Sequence, residues 1–227
     1  DNAICGFSGQ SVVIAIFAAK NGAEGVAVMS EQNAKVVVRP FVFSDLESMV
    51  RWNNDFEVEQ YVDCCLPKTL PECQVWFRKH IPGRNYRLYA IEDEERRVIG
   101  DLVLDHICWR KKEAELRIRI GEKEYWDQGY GSAALREVLT EAFTQLGLDQ
   151  VYLRVYAFNL RAIHCYKKVG FKKKAVLKRK RDQNWKEIYL MSIDEQEFTK
   201  INNNILPDRR KVSSNVELSK SSHCSGS

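Results

Sequence analysis

The sequence has few of the features that mark membrane proteins, disulfide-rich secreted proteins or zinc proteins. Its longest apolar run extends from Val12 to Ala19, far short of the roughly 20 residues that cross a bilayer as a helix. The seven cysteines are an odd number without C-x-x-C spacing, which argues against a disulfide framework or a zinc site. The four histidines are scattered and form no H-E-x-x-H motif, so we expect no metal. These absences favour reduced thiols and a cytoplasmic protein.

A strong excess of charge of one sign is also missing. The formal net charge is +4, which permits an anionic ligand but does not require a nucleic acid. Proteins that bind single-stranded nucleic acids interleave aromatic and basic residues on one face, and no segment of this sequence shows that pattern. We therefore expect neither a nucleic acid nor a membrane as a partner.

Length and composition predict one domain between two unpatterned ends. With 227 residues, of which 44% are hydrophobic, the chain is long enough for one well-filled core and short for two. The periodic patterns lie in residues 35–200. Residues 1–34 form an extension to which we assign no role, and Met29 is an alternative start because the chain begins with Asp1. The polar composition of residues 201–227 predicts a disordered tail.

The first part of the domain carries both strand and helix signals. The branched residues from Lys35 to Arg39 predict a strand. Ser44 and Glu47 have the spacing of a capping box, which predicts that a helix begins there. A second helix is predicted from Thr69 to His80, because acidic and proline residues occupy its first turn.

Three strands with short turns follow, and their arrangement predicts an antiparallel meander. They extend from Tyr86 to Glu92, from Val98 to Trp109 and from Ala114 to Gly121. In the third strand, apolar and charged residues alternate cleanly, as in a strand with one buried face. The later patterns predict a helix that closes near Gly147, a strand over Val151 to Ala157, a helix over Arg161 to Val169 and a strand over Trp185 to Ile193. We therefore predict a single α/β domain, with a mixed, mostly antiparallel sheet flanked by helices.

The stretch "WDQGYGSAA", from Trp126 to Ala134, places two glycines just before a helical pattern. It formally fits the dinucleotide-binding motif G-x-G-x-x-G/A. That motif needs a continuously apolar strand directly before it, whereas the preceding strand here alternates with arginine. The unpaired backbone N–H groups and the dipole of a helix start can bind a pyrophosphate. The alternative is that Gly129 and Gly131 only shape a tight turn.

Two motifs together resemble the GNAT superfamily of N-acetyltransferases. They are "YWDQGYGSAAL" and, downstream, "VYAFNLRAIHCYKKVGF". The sequence is similar in particular to the branch that includes ribosomal-protein N-terminal acetyltransferases and spermidine acetyltransferases, and the likeness extends from about Val37 to Ile193. One departure is Trp126, because the superfamily usually has Arg or Gln three residues before the first glycine. The branch often has an aromatic pair there.

The resemblance implies acetyl-coenzyme A as cofactor and acetyl transfer to a primary amine. It places the pyrophosphate on the N–H groups from Gln128 to Ser132, which include Gly129, Tyr130 and Gly131. It places the pantetheine arm beside the strand that contains Ile118 and Ile120. Asn159 would cap the following helix and also contact the cofactor. Arg161 and Lys167 would reach the cofactor phosphates, or they form a solvated basic face.

Amine acetylation needs a neutral amine, although a free alkylamine has a pKa of roughly 10. Tyr166 stands where the family has its acid tyrosine, so it is our candidate proton donor for the leaving thiolate. The alternative is a packing role on the inner face of its helix. Glu115 is our candidate base, unless it only pairs with the arginines of its own strand. Asp105, His106 or a chain of waters are the other candidates for that step.

The amine acceptor stays open at this point. A protein N-terminus, a polyamine and an amino sugar all fit the chemistry. Glu57, Glu59 and Asp63 would line an acidic pocket for a polyamine, or they are ordinary surface charges. The alternative to an enzyme is a non-catalytic acyl-coenzyme A-binding module. Association into a homo-oligomer is also left open, and the basic residues between Lys172 and Arg181 predict either a solvated strand edge or a contact with phosphate or an acidic partner.

Overall fold

The computed structural model describes residues 15–16, 34–61, 66–81, 83–181 and 184–202. The predictions for Met29, for Asp63, for most of residues 1–34 and for the tail after Asn202 lie outside these residues. The strands are β1 Ala15–Ile16, β2 Val37–Pro40, β3 Arg87–Glu92, β4 Val98–Cys108, β5 Glu113–Ile120, β6 Gln150–Tyr156, β7 Lys172–Arg181 and β8 Asn184–Asp194. The helices are α1 Leu46–Asn53, α2 Phe56–Glu59, α3 Leu70–His80, α4 Tyr130–Thr144, α5 Leu160–Val169 and α6 Glu195–Asn202.

One mixed sheet organises the described residues, in the strand order β2-β3-β4-β5-β6-β8-β7. The predicted meander is confirmed, because β3, β4 and β5 pair antiparallel in sequence order. The β5–β6 pair is parallel, and the pairs beyond β6 are antiparallel again. The predicted fold class, a mostly antiparallel α/β sheet flanked by helices, is therefore confirmed.

A gap opens in the middle of this sheet. Strands β5 and β6 pair only where Glu113–Glu115 meets Gln150–Tyr152, although β5 continues to Ile120. Beyond Glu115, among the described residues, only the two-residue strand β1 lies along this edge of β5, where it pairs in parallel with Ile118 and Arg119. This edge of β5 therefore accepts an extended segment in the gap, as an added strand does.

The helix starts were predicted with mixed success. Thr69 accepts a hydrogen bond from the Glu72 N–H while the Glu72 carboxylate accepts from the Thr69 N–H, so the capping box of α3 is present. The capping box proposed for Ser44 and Glu47 is wrong. Ser44 lies inside a 3₁₀ turn that leads into α1, and the carboxylate of Asp45 accepts from the Val42 N–H at 2.9 Å.

Two clusters of buried side chains fix the helices on the sheet. The larger cluster joins α4, α5 and α6 to the apolar residues of β5, including Leu116, Ile118 and Ile120. The smaller cluster packs α1 and α3 against β3. The buried face of α4 is the one predicted from the spacing of its apolar residues.

Some elements carry weak sequence signals. The four-residue helix α2 and the terminal helix α6 were not predicted. The basic segment Lys172–Arg181 is strand β7 at one end of the sheet order, which confirms the strand-edge interpretation. None of the described helices is both long and apolar enough to span a bilayer.

Candidate active site

Helix α4 begins with a glycine that has left-handed backbone geometry. Gly129 is the N-cap residue with a φ of 89°, and it offers no side chain to cap the helix. The first hydrogen bond after it joins the Ala133 N–H to the Gly129 carbonyl at 3.0 Å. The N–H groups of Tyr130, Gly131 and Ser132 therefore have no acceptor within the helix. Together with the helix dipole, they form a site for an anion.

A cleft of about 440 Å³ lies between the start of α4 and one face of α5. Its wall includes Gly129, Gly131 and Ser132 from the α4 side. From α5 it includes side chains spaced by three, four and seven residues, as one helix face requires: Arg161, His164, Cys165 and Lys168. Basic groups thus face the unpaired amides, which is the donor set that a phosphate needs.

Arg161 is held in place by two residues that precede Gly129. Its guanidinium forms a two-point ion pair with Asp127, at 2.9 Å from Nε and 2.8 Å from Nη2. The same guanidinium lies over the Trp126 ring, 5.3 Å from its centroid. The Trp126 indole N–H donates to the Ile120 carbonyl at 2.8 Å. The loop that joins β5 to Gly129 is therefore bonded both to the end of β5 and to α5.

Helix α5 carries Tyr166 and contributes the preceding residue, Cys165, to the cleft wall. The Asn159 side chain caps the helix by accepting from the Ala162 N–H at 3.2 Å, as predicted. Cys165 lies 3.3 Å from the Ser132 hydroxyl through its Sγ atom, and this contact joins α5 to the first turn of α4. Burial raises the pKa of the Cys165 thiol to about 11, although the hydrogen bond to Ser132 lowers it somewhat.

Tyr166 follows Cys165 and is fully buried in the main core. Its ring meets that of Phe171 edge to face, with centroids 5.7 Å apart. Burial, and to a smaller extent Cys165, raises the pKa of the Tyr166 phenol well above its ordinary value. The phenol therefore stays protonated at neutral pH, which is the form that a proton donor needs.

Glu115 lies where the β5–β6 gap begins and is fully buried. Both carboxylate oxygens accept from Arg154 on β6, at 3.0 and 2.6 Å. His106, on the neighbouring strand, has a φ of 51° and places Nδ1 3.7 Å from Glu115 Oε2. The partner of Glu115 is thus Arg154, rather than the arginines of its own strand.

Those two arginines bind carboxylates on β4. Arg117 pairs with Asp105. Arg119 is buried, pairs with Asp101 and donates to the Asn53 side chain at 2.7 Å. The charged face of β5 is therefore a buried network rather than a solvated surface.

The acidic pocket predicted near α2 is already occupied by lysines. Lys123 Nζ lies 2.7 Å from Asp55 and 2.8 Å from Glu57. Lys68 pairs with Glu59 at 2.6 Å. The acids Glu57 and Glu59 are therefore neutralised within the chain, and Asp63 lies outside the described residues.

The structure places four of the predicted site residues, Gly129, Gly131, Ser132 and Arg161, in the wall of the cleft. Tyr130 begins the helix that forms this wall, and Tyr166 and Ile118 belong to the main buried cluster. Ile120 accepts the Trp126 hydrogen bond at the end of β5, and Gln128 donates from its side chain to the Glu124 carbonyl. The sequence analysis missed Asp127, His164, Cys165 and Lys168. The helical spacing from Arg161 contained the signal for the last three, and it also indicates Lys168 rather than Lys167.

The model of the acetyltransferase (GNAT) domain matches residues 35–172, which include the gap, the start of α4 and Tyr166. The chain belongs to the GNAT family. GNAT acetyltransferases use acetyl-coenzyme A as the acetyl donor, and the α4 cleft lies in the matched part of the chain.

The curated GNAT relatives include enzymes that act on a polyamine. This chain is 27% identical to a spermidine N(1)-acetyltransferase of Vibrio cholerae over 139 residues, which cover 61% of this chain and 80% of the relative. It is 31% identical to the Escherichia coli K12 spermidine N(1)-acetyltransferase over 138 residues, 60% of this chain and 72% of the relative. It is also 22% identical to an uncharacterised N-acetyltransferase, YnaD of Bacillus subtilis, over 71% of this chain and 95% of the relative.

A solved GNAT structure supports the fold. The chain matches the spermidine N-acetyltransferase from Vibrio cholerae in complex with CoA and spermine with a TM-score of 0.66 and 24% identity. The match covers 72% of this chain and 97% of that structure. At this level of identity the likeness establishes the shared fold.

Proposed function

We propose that this GNAT protein transfers the acetyl group of acetyl-coenzyme A to a polyamine, through the cleft at the start of α4 and the gap between β5 and β6. The observation that carries the proposal is the cleft itself. Unpaired amides of a helix start face basic side chains of α5 there, and the fully buried Tyr166 follows a residue of the cleft wall in the chain.

The residues of the cleft fit the phosphates of coenzyme A. The N–H groups of Tyr130, Gly131 and Ser132 would hold the pyrophosphate, and Arg161 and Lys168 would neutralise its charge. The edge of β5 that faces the gap would hold the extended pantetheine arm, which would take the place of the two-residue strand β1 beside Ile118 and Arg119.

Acetyl-coenzyme A supplies the thioester from which the acetyl group moves to the amine. Tyr166 holds a proton in a buried position and can give it to the departing sulfur. A backbone N–H of β5 at the gap would stabilise the negative charge that develops on the acetyl oxygen. Asn159 keeps α5, and hence Tyr166, in register with the cleft.

Glu115 is our proposed acceptor for the proton of the amine. It lies at the apex of the gap, and in our proposal the amine approaches the thioester from this point. Because Arg154 occupies both carboxylate oxygens, Glu115 can take a proton only when that ion pair opens. His106 Nδ1, 3.7 Å away, offers a route from Glu115 towards solvent.

The choice of a polyamine rests on the relatives, and the acceptor is the part that most needs a test. A thiol-release assay with acetyl-coenzyme A would compare spermidine and spermine with peptides of free N-terminus and with an amino sugar. We expect spermidine to give the highest kcat/KM. Preferential turnover of a peptide or an amino sugar would contradict the polyamine proposal, and coenzyme A binding without turnover of any amine would contradict the enzyme itself.

We also propose that the protein works as a homo-oligomer in the cytoplasm. A dodecameric structure is known for the Vibrio cholerae spermidine N-acetyltransferase. In this chain, the β7–β8 hairpin exposes Val176, Leu177 and Trp185, and cysteines 73, 108 and 165 are free thiols. Light scattering at several concentrations would give the mass, and a monomer at all of them would contradict the oligomer.

A further inference from the structure

Trp126 occupies the position where the family usually has Arg or Gln, and the structure shows what this residue does instead. Its indole is fixed to the end of β5 by the hydrogen bond to the Ile120 carbonyl. The Arg161 guanidinium lies 5.3 Å from its ring centroid. Trp126 is not part of the cleft wall, whereas Arg161 is.

We propose that Trp126 is a positioning residue that holds Arg161 over the phosphate-binding cleft, so that α5 supplies the cation that the loop itself lacks. An aromatic face attracts a guanidinium without neutralising it. Trp126 therefore restrains the Arg161 side chain at the cleft without supplying a negative charge of its own.

Asp127 alone does not explain this arrangement. Its carboxylate binds Arg161 at two points, but it is two-thirds exposed, with a relative accessibility of 65%. A phosphate in the cleft would compete with this carboxylate for the same guanidinium nitrogens. The Trp126 ring does not compete with the phosphate, because it attracts the positive charge without accepting a hydrogen bond from the guanidinium nitrogens.

The other cation beside Trp126 is committed elsewhere. Lys123 Nζ lies 5.9 Å from the ring centroid, but it binds Asp55 and Glu57 near α2. Hydrogen bonds from these two carboxylates raise the pKa of Lys123, despite a small opposing effect of burial. Lys123 is also not part of the cleft wall, so Arg161 is the cation that Trp126 directs towards the cleft.

A double-mutant cycle read by calorimetry tests the proposal, which rests on the proposed function of the cleft. The titrant is coenzyme A, and the proteins are the full chain, Trp126→Leu, Arg161→Gln and the double variant. We expect Trp126→Leu to weaken coenzyme A binding about tenfold, the size of one shielded cation–π contact. In the Arg161→Gln background, Trp126→Leu should weaken coenzyme A binding less than about twofold, because the arginine through which Trp126 acts is absent.

Two further variants separate positioning from folding. Trp126→Phe keeps a ring beneath Arg161 and should retain most of the affinity. Trp185→Leu removes an exposed tryptophan of the β7–β8 hairpin that is not part of the cleft wall, and it should leave the affinity unchanged. Equal losses from Trp126→Leu in both backgrounds would overturn the proposal. Failure of the unaltered protein to bind coenzyme A would instead overturn the proposed function, so the two failures are distinguishable.

Discussion

At the residue scale, the account depends on two ionisable groups in different surroundings. Tyr166 is enclosed by apolar side chains and stays protonated. Glu115 is equally buried but forms an ion pair with Arg154. Active sites assign an acid and a base by placing two titratable groups in surroundings as different as these.

Replacing Tyr166 by Phe should separate chemistry from packing. Phe retains the edge-to-face contact with Phe171 and removes only the hydroxyl. We expect kcat to fall about 100-fold, as for loss of a general acid, while the Kd of coenzyme A changes less than about threefold. Steady-state kinetics and calorimetry measure the two values. Tyr89→Phe is the control, because it removes from strand β3 a buried hydroxyl that donates to Glu141 of α4. Equal losses of kcat and affinity in Tyr166→Phe would point to packing alone.

The pH profile gives a second test of Tyr166. The protonated phenol is lost only as the pH rises through its folded-state pKa, which burial places well above the ordinary value. The free amine becomes more abundant up to roughly pH 10. We therefore expect kcat/KM for the amine to rise continuously from pH 7 to 9.5 while circular dichroism shows an intact fold. A decline of kcat/KM within this range, with the fold intact, would show that Tyr166 is not the acid.

Glu115→Gln should reveal a base through its dependence on pH. At pH 7 most of the amine is protonated, so we expect kcat/KM to fall about 100-fold. At pH 9.5 much more of the amine is already neutral, and the loss should shrink towards tenfold. Glu113→Gln is the matched control, because Glu113 lies on the same strand and pairs only with Lys111 at the surface. A loss of the same size at both pH values, with a lower melting temperature, would assign Glu115 to structure.

At the element scale, helix α4 has a left-handed glycine near each end. Gly129 has a φ of 89° at the start, and Gly147 has a φ of 65° after the end. A non-glycine residue in this region costs about 1–2 kcal/mol, so alanine at either position should destabilise the protein by a similar amount. Only Gly129→Ala should also weaken coenzyme A binding, because it alone alters the amides that face the cleft. Denaturation and calorimetry of both variants would check this, and weaker binding in Gly147→Ala would contradict it.

The elements that the sequence predicts best are those with a strong period. The alternation in β5 and the helical spacing in α4 each leave only one face that can be buried, so the bounds of both elements were predicted within a few residues. Helix α2 has four residues, too short for periodicity to distinguish it from a loop, whereas α6 was missed although it is as long as α1. The start of α1 was misjudged because Asp45, one residue beyond Ser44, offers the backbone a competing acceptor.

The site was predicted unevenly for a related reason. Gly129 and Asn159 belong to local motifs, so their positions at the two helix starts were predicted from the sequence, whereas the role of Tyr166 stays a prediction. The partner of Glu115 is Arg154, 39 residues away, and only the order of strands brings the two together. Lys123, which neutralises Glu57, likewise comes from a distant segment, so sequence proximity suggested an acidic pocket that the fold does not leave open.

At the scale of the whole molecule, one buried carboxylate ties the meander to the loop before the cleft. Asp93 accepts from the Tyr125 hydroxyl and from Arg97, each at 2.7 Å. Burial alone would raise its pKa, but these hydrogen bonds and those from backbone amides lower the pKa to about 2. The stabilisation is therefore complete above about pH 4, where an unfolded aspartate ionises, and it is lost as the pH falls towards 2.

Asp93→Asn should therefore change the acid sensitivity of the protein. The melting temperature of the variant should be lower than that of the unaltered protein at pH 7, and the difference should narrow as the pH falls from 4 to 2. Glu94→Gln, at an exposed position of the same turn, is the control and should show little difference at any pH. A difference that stays constant across this range would show that the Asp93 charge does not contribute.

The whole account depends on binding of the pyrophosphate of coenzyme A in the cleft at the start of α4. Titration calorimetry of the folded protein with coenzyme A, repeated at two salt concentrations, tests this most directly. We predict saturable binding of one ligand per chain in the micromolar range, weaker at the higher salt concentration because the contacts are ionic. A folded chain that shows no binding at either salt concentration would contradict the account.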